Sequence, residues 1–523
     1  MVFTMTTDAI RLTGAPLTVR EIVAVARHGA RVELDPTAAA RIAAARAPIE
    51  RIAVSEDAVY GINTGFGSLS RVRIEPERVA DLQRNLIRSH AAGVGEPLPS
   101  NVVRAMILLL AASLSRGHSG VRVTVVERLL DMLNHGIMPV IPSRGSVGAS
   151  GDLAPLSHAI LALIGEGEVF TSAGGSTAAE QWKAIGIDPV ELNAKEGLAL
   201  INGTHLMAAM GALMIKDVDN LVNAAIGASA MAIDACRGTD SFLDPRVHAA
   251  RCQPGQRAVA ATLRELIEGS AILPDHATDD PRVQDPYCLR AMPQVIGAAV
   301  DALRTVRQVF MNEFGAVTDN PLVFAEGDHC DIISAGNFHG MPLSIAFDHA
   351  SIALCHIAGI AERRMYWLLK ASDSENPVNA YLSPQPGLHS GLMIVQYTAA
   401  ACCNEMQTLA TPASVANIPT SAGIEDYNSM GVTAGHQVMT SIQRCREVIA
   451  MEFLVMTEAL EYQRPLRSGA GVEALYDIVR SRVPRLTEDR PPSPDIEAIA
   501  ELIQHGDLSG SPDRASIFAR TTD

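Results

Sequence analysis

The sequence predicts a mainly α protein, with a long central helix bundle and a smaller, loop-rich N-terminal part. Three observations carry this. Ala, Leu, Val, Ile and Met dominate a composition that is 48% hydrophobic but only 4% aromatic, a balance that suits helices. Five stretches, 205–234, 293–313, 341–370, 390–410 and 432–463, are Ala/Leu/Met-rich and nearly free of internal Pro or Gly, which favours helices beyond ordinary globular length. Before residue 195, short amphipathic segments instead alternate with punctuation such as "GEPLPS" and "MPVIPSRG", a pattern of turns and loops.

In chain order, residues 1–195 form the N-terminal part, 196–465 the bundle, and 466–523 a charged, Pro-rich C-terminal helical segment and tail, all within one continuous fold. The opening "MVFTMTTDAIRLTGAPLTV" lacks a charged region followed by an apolar one, so it does not read as a signal peptide. The most apolar run, "MILLLAASL", is bracketed by Arg104 and Arg116 and is too short to span a bilayer. Within the bundle, "GTHLMAAMGALM" and "HASIALCHIAGIA" are apolar around most of the helix. One chain cannot cover such surfaces, and oligomerisation through the bundle is expected.

A formal charge of −16 and a pI near 5.4, with no basic block, argue against nucleic acid or anionic membrane as a partner. A small-molecule substrate is the expectation. The eight cysteines contain no C-x-x-C and read as reduced core thiols of a cytoplasmic protein. The histidines are scattered and no dinucleotide motif is present, so neither a metal nor an external cofactor is expected.

The segment "GSVGASGDLAPLSH", Gly145–His158, holds the chemistry. Ser150 lies in G-A-S-G-D rather than in a nucleophile elbow, and His158 falls one to two turns into the next helix, so a catalytic triad fits poorly. A simple alternative is that Ser150 or Asp152 caps the helix starting near Leu153. Three glycines in one loop, Gly145, Gly148 and Gly151, argue for more than a cap. A tight bend there brings the Gly151 nitrogen to the Ala149 carbonyl. Ring closure with loss of two waters would leave an imidazolone whose exocyclic methylene comes from Ser150.

This segment resembles the active-site loop of the aromatic amino acid ammonia-lyase family, whose members carry a 4-methylideneimidazole-5-one (MIO) made from Ala-Ser-Gly. Further landmarks follow in family order: "YGINTGFG" (60–67), "NLIRSHAAGVGEPL" (85–98), "INGTH" (201–205), "QDPYCLR" (284–290), "VTDNP" (317–321), "GNFHGMP" (336–342) and "HSGLMI" (389–394). The resemblance implies a mostly α homotetramer with sites lined by three chains. It also implies non-oxidative elimination of ammonia from an aromatic L-amino acid, with MIO from Ala149-Ser150-Gly151 as the electrophile.

By the same resemblance Tyr60 matches the base that removes the β-proton. A phenol with a reference pKa of about 10 must be lowered by its site to do this at neutral pH. Arg290 matches the residue that grips the substrate carboxylate with paired hydrogen bonds. Gln284, Tyr287, Asn202 and Phe338 match positions around the ring and the amine. Ser89-His90 stand where phenylalanine- and tyrosine-specific members carry Phe-Leu or His-Leu, and they match the histidine-type members. Glu425 and Met393 match that type too. The implied reaction is L-histidine to trans-urocanate.

Some positions depart from the histidine-type pattern. Gly423-Ile424 replace an Asn-Gln pair beside Glu425, Met341 replaces Glu, Ala291 replaces Cys and His205 replaces Gln. These bear on the substrate rather than the reaction, so phenylalanine or tyrosine ammonia-lyase and 2,3-aminomutase activities stay open. A serine hydrolase is a more remote reading. Asp319 and Asn320 read as turn residues before Pro321, without chemistry.

Overall fold

The computed structural model describes residues 9–56, 58–59, 61–64, 73–171, 174–278, 280, 282–326, 329–372, 376–509 and 516–519. Helices predominate and the strands are short, as expected. The five long stretches become helices His205–Ala235, Met292–Glu313, Met341–Leu369, Met393–Leu409 and Gly431–Glu461. The fourth starts later than its composition indicated. Gly391, with φ 61°, sits against the Tyr381 carbonyl and keeps residues 390–392 out of the helix.

The chain divides into two compact units. The first comprises residues 1–213, 308–347 and 412–436, and the second 214–307, 348–411 and 437–523. In the first, helix Ser100–Leu114 has twelve buried residues, among them the unbroken run Ala105–Leu114. A helix apolar on all sides must be enclosed. It packs against Val19–His28 and Val123–His135. The ends of Val19–His28 are written locally. Thr18 and Glu21 form a reciprocal capping box, and Gly29 terminates the helix with φ 67°, where a left-handed residue satisfies the last carbonyls. Small sheets decorate this unit: a parallel pair, Ile10–Leu12 with Val32–Leu34, antiparallel pairs Val94–Pro97 with Pro142–Arg144 and Leu322–Glu326 with His329–Ile333, and a three-stranded sheet ending in Gly174–Thr177.

The second unit holds most of the length of the long helices together with Pro254–Ile267, Ala470–Arg480 and Ser493–His505. Its interior carries an ion pair with no solvent exposure, Arg364 with Glu452, in a two-pronged geometry of 2.5 and 3.0 Å. Burial of a guanidinium requires such a partner. Met341–Leu369 is long and apolar enough to cross a bilayer, but 67% of its most apolar window is buried inside the protein.

The eight cysteines are all free, as expected of thiols. They are not mostly core residues as expected: only Cys236 and Cys445 are buried, five are half-buried, and Cys252 is exposed at the end of helix Pro245–Arg251.

Candidate active site

The Gly-rich loop follows strand Pro142–Arg144 and ends at helix Leu153–Leu163. Gly148 and Gly151 both adopt left-handed backbone, φ 67° and 74°. Side chains are excluded there as well as strained. A Cβ on Gly148 would lie 2.0 Å from Ser429 Oγ, and one on Gly151 would lie 2.0 Å from the Gly203 carbonyl oxygen. Gly151 pairs with Gly203 in a parallel bridge, in which Asp152 N donates to Gly203 O at 2.7 Å and Gly203 N to Ser150 O at 3.3 Å. The tripeptide Ala149-Ser150-Gly151 is therefore clamped by backbone at the Ser150 carbonyl and just after Gly151, with only small residues in the turn. That is a cradle suited to a ring made from these three residues.

Asp152 does not cap the helix that follows it, contrary to the simplest sequence reading. Its fully buried carboxylate instead accepts from Leu206 N at 2.8 Å and Met207 N at 3.1 Å, the first-turn amides of helix His205–Ala235. Those amides have no partner inside their own helix and favour negative charge. Ser146 Oγ adds a third hydrogen bond at 3.0 Å. Burial nevertheless dominates and raises its pKa from 3.8 to about 7.

Two further segments dock on the loop. The Gly148 carbonyl accepts from Gly340 N at 3.3 Å and from Ser429 Oγ at 3.0 Å, and Met430 N donates to Val147 O at 2.8 Å. These contacts bring "GNFHGMP" and "SAGIEDYNSM" to the tripeptide. Phe338 is half-buried in the first. His339 ties the two together through Nε2 to Tyr427 O at 2.8 Å. Met341 opens the helix that follows, its amide donating to His339 Nδ1.

Glu425 lies in a loop before helix Gly431–Glu461, not in a helix's first turn. Ser150 Oγ donates to Glu425 Oε1 at 3.0 Å, and Thr420 Oγ1 to Glu425 Oε2 at 3.0 Å. His90 ends helix Val79–His90, and its Nδ1 is 3.0 Å from Ser89 Oγ. Burial lowers the His90 pKa, partly offset by a backbone hydrogen bond at Leu86 and by the Glu425 charge. Its ring is thus neutral at pH 7. Asn202 is buried, with Nδ2 donating to Asn320 O at 3.0 Å. Its Oδ1 has no partner among the described residues, an arrangement that costs about 1–3 kcal/mol unless a ligand answers it. Hence Ser89, His90, Ser150, Asn202, Phe338 and Glu425 all lie in the first unit.

The second unit holds Gln284, Tyr287, Arg290 and Met393. Arg290 Nε donates to Asp285 O at 2.9 Å and Nη2 to Gln284 Oε1 at 2.8 Å, while its guanidinium lies 4.7 Å from the Tyr287 ring centroid. None of these partners neutralises the cation. Gln284 and Tyr287 are exposed, and Met393 opens its helix half-buried. Tyr60 lies outside the described residues.

Other histidines and turn residues have structural duties. His158 Nε2 accepts from Gly93 N at 3.1 Å, so it is engaged away from Ser150. Asp319 forms a buried 2.7 Å ion pair with Lys195, and Asn320 Oδ1 accepts from Ala335 N at 2.7 Å. Gly423 has φ 84° and open space at its Cβ position. Asn also tolerates that backbone, so the Asn-to-Gly departure keeps the loop's conformation, and Ile424 points outward, 68% exposed. Thr420 and Ser429 escaped the sequence reading, although Ser429 lies in the stretch around Glu425 and Thr420 just before it, because their partners are fixed only by the folded loops.

A family model described as aromatic amino acid lyase matches residues 17–481. The histidine ammonia-lyase of Deinococcus radiodurans is 48% identical over 492 residues, 94% of this chain and 93% of that protein. The crystal structure of histidine ammonia-lyase from Trypanosoma cruzi superposes with a TM-score of 0.88 at 37% identity, covering 96% of this chain and 94% of that one. Tyrosine aminomutase from Streptomyces globisporus gives 0.89 at 34% identity, covering 96% and 98%. With the glycine-clamped tripeptide in place and a match across nearly the whole length, the chain belongs to the aromatic amino acid lyase family.

Proposed function

We propose that this chain eliminates ammonia from L-histidine to give trans-urocanate. The observation that carries this reading is the Glu425 carboxylate held 3.0 Å from Ser150 Oγ, with His90 in the same unit and under the influence of the Glu425 charge. The carboxylate stands beside the tripeptide and the neutral imidazole feels its charge, polar partners that an imidazole substrate can satisfy and a phenyl ring cannot. The histidine ammonia-lyase relatives support it. MIO formed from Ala149-Ser150-Gly151 would supply the electrophile that ordinary side chains lack.

The remaining work falls to the chain's own side chains. Glu425 and His90 hold the two nitrogens of the substrate ring, with Ser89 orienting His90 and with Met393 and Phe338 as apolar walls. Arg290, oriented by Gln284 and stacked near Tyr287, takes the α-carboxylate as a two-pronged partner. Asn202 Oδ1 accepts from the substrate ammonium group. Tyr60 takes the β-proton, and proton transfer by a positioned side chain contributes about 10²–10⁴-fold. We further place the enzyme in the cytoplasm as a homotetramer, in keeping with exposed Ile352, Tyr366, Ile394 and Tyr397 on its long helices.

Intact mass tests the ring. The purified protein is expected to weigh less than its sequence by two waters, and Ser150→Ala to restore the missing mass. Active enzyme with the full sequence mass would overturn the proposal.

A further inference from the structure

The structure assigns Thr420 as a specificity-positioning residue, which locks the Glu425 carboxylate in the orientation that receives an imidazole. The inference rests on the reading of Glu425 given above. Thr420 and Glu425 face each other as an antiparallel bridge, Thr420 N donating to Glu425 O at 2.8 Å. The residues between them close tightly, with Gly423 N on Thr420 O at 3.0 Å and Ile424 N on Ser421 O at 3.1 Å. Ser421 and Ala422 adopt left-handed backbone, φ 51° and 54°. Non-glycine residues hold that conformation only where their surroundings over-determine it.

The side chains give the loop its direction. Asn428 Nδ2 donates to Thr420 Oγ1 at 3.4 Å and also to Ile418 O. Asn417 holds Asn428 by reciprocal bonds of 3.0 and 3.2 Å. Because the Asn428 amide nitrogen can only donate, the Thr420 hydroxyl is left to give its own hydrogen to Glu425 Oε2. That oxygen is occupied. Oε1 accepts from Ser150 Oγ, a bond that goes when the Ser150 hydroxyl leaves as water in ring formation, so Oε1 is then the oxygen presented to a ligand. A glutamate side chain loses considerable rotamer freedom when ordered, and fixing it beforehand spares that cost at binding. The benefit goes to a substrate that hydrogen-bonds the carboxylate.

The test is a double-mutant cycle on the full-length enzyme with Thr420→Val and Glu425→Ala. The readings are kcat/KM for L-histidine and the equilibrium affinity for urocanate, which stays measurable when turnover is slow. Hydrogen bonds to charged groups are worth about ten- to a hundredfold. Thr420→Val should lower both readings by about that factor and Thr420→Ser should restore them. In the Glu425→Ala background, Thr420→Val should change urocanate affinity little. Equal losses in both backgrounds would mean that Thr420 merely supports the loop, and no loss would mean that it does nothing; either overturns the inference. Should Glu425→Ala leave histidine turnover intact, the reading of Glu425 falls as well, and that result is distinct from the other two.

Discussion

Replacing His205 with Gln should remove a sensitivity to acid. His205 opens helix His205–Ala235, two residues after the glycine that clamps Gly151, and is 5% exposed. Neither ring nitrogen has a hydrogen-bond partner among the described residues. Burial lowers its pKa from 6.5 to about 4. Between these values the unfolded chain binds a proton that the native one does not, so this group's contribution is full above about 6.5 and is lost as pH falls toward 4. From about pH 8 down to about pH 5 the difference spans roughly 1.5 pH units, or about 2 kcal/mol at 1.36 kcal/mol per unit. Asp152 and Glu313, both raised by burial, act oppositely. Their contributions are full below the ordinary carboxylate range and are lost as pH rises through their native values, about 7 for Asp152. Both groups are present in either protein and cancel. Denaturant unfolding of wild type and His205→Gln, at one protein concentration and at about pH 8 and pH 5, should show the gap moving by about 2 kcal/mol in favour of the variant at the lower pH. A gap that stays constant would refute the buried neutral imidazole.

Two predictions concern the reaction. Tyr60→Phe should keep the mass deficit of two waters while turnover falls about 10²–10⁴-fold, because only the base is lost; near-normal turnover would remove Tyr60 from the mechanism. Arg290→Lys keeps the charge but not the planar fork that Gln284 and Asp285 orient, so steady-state kinetics should show both weaker apparent affinity and slower turnover, by about tenfold or more in kcat/KM. Unchanged kinetics would leave Arg290 a surface cation.

The long helices were legible because runs without breakers leave few alternatives to a helix, and their observed ends fall close to the composition boundaries. The offset at Met393 came from Gly391, whose left-handed turn is set by the Tyr381 carbonyl rather than by its neighbours in sequence. The Gly-rich loop was legible for a related reason. Glycines at 148 and 151 are needed where the Ser429 hydroxyl and the Gly203 backbone approach too closely for a side chain. What that loop meets was not legible. Asp152 looked like the cap of its own helix, but its partners lie 54 and 55 residues onward. Ser150 meets Glu425 across 275 residues and Ser429 meets Gly148 across 281. Such contacts are decided by packing, and no local pattern announces Thr420, whose importance comes from the one carboxylate oxygen it holds.

The substrate itself provides the most direct test. Purified enzyme supplied separately with L-histidine, L-phenylalanine and L-tyrosine, with products identified by ultraviolet absorbance and mass, should release ammonia and trans-urocanate in equal amounts from L-histidine. It should act poorly on the other two, which leave Glu425 and His90 unpaired. Preferred formation of cinnamate or coumarate, or of a β-amino acid without net ammonia release, would contradict the assignment.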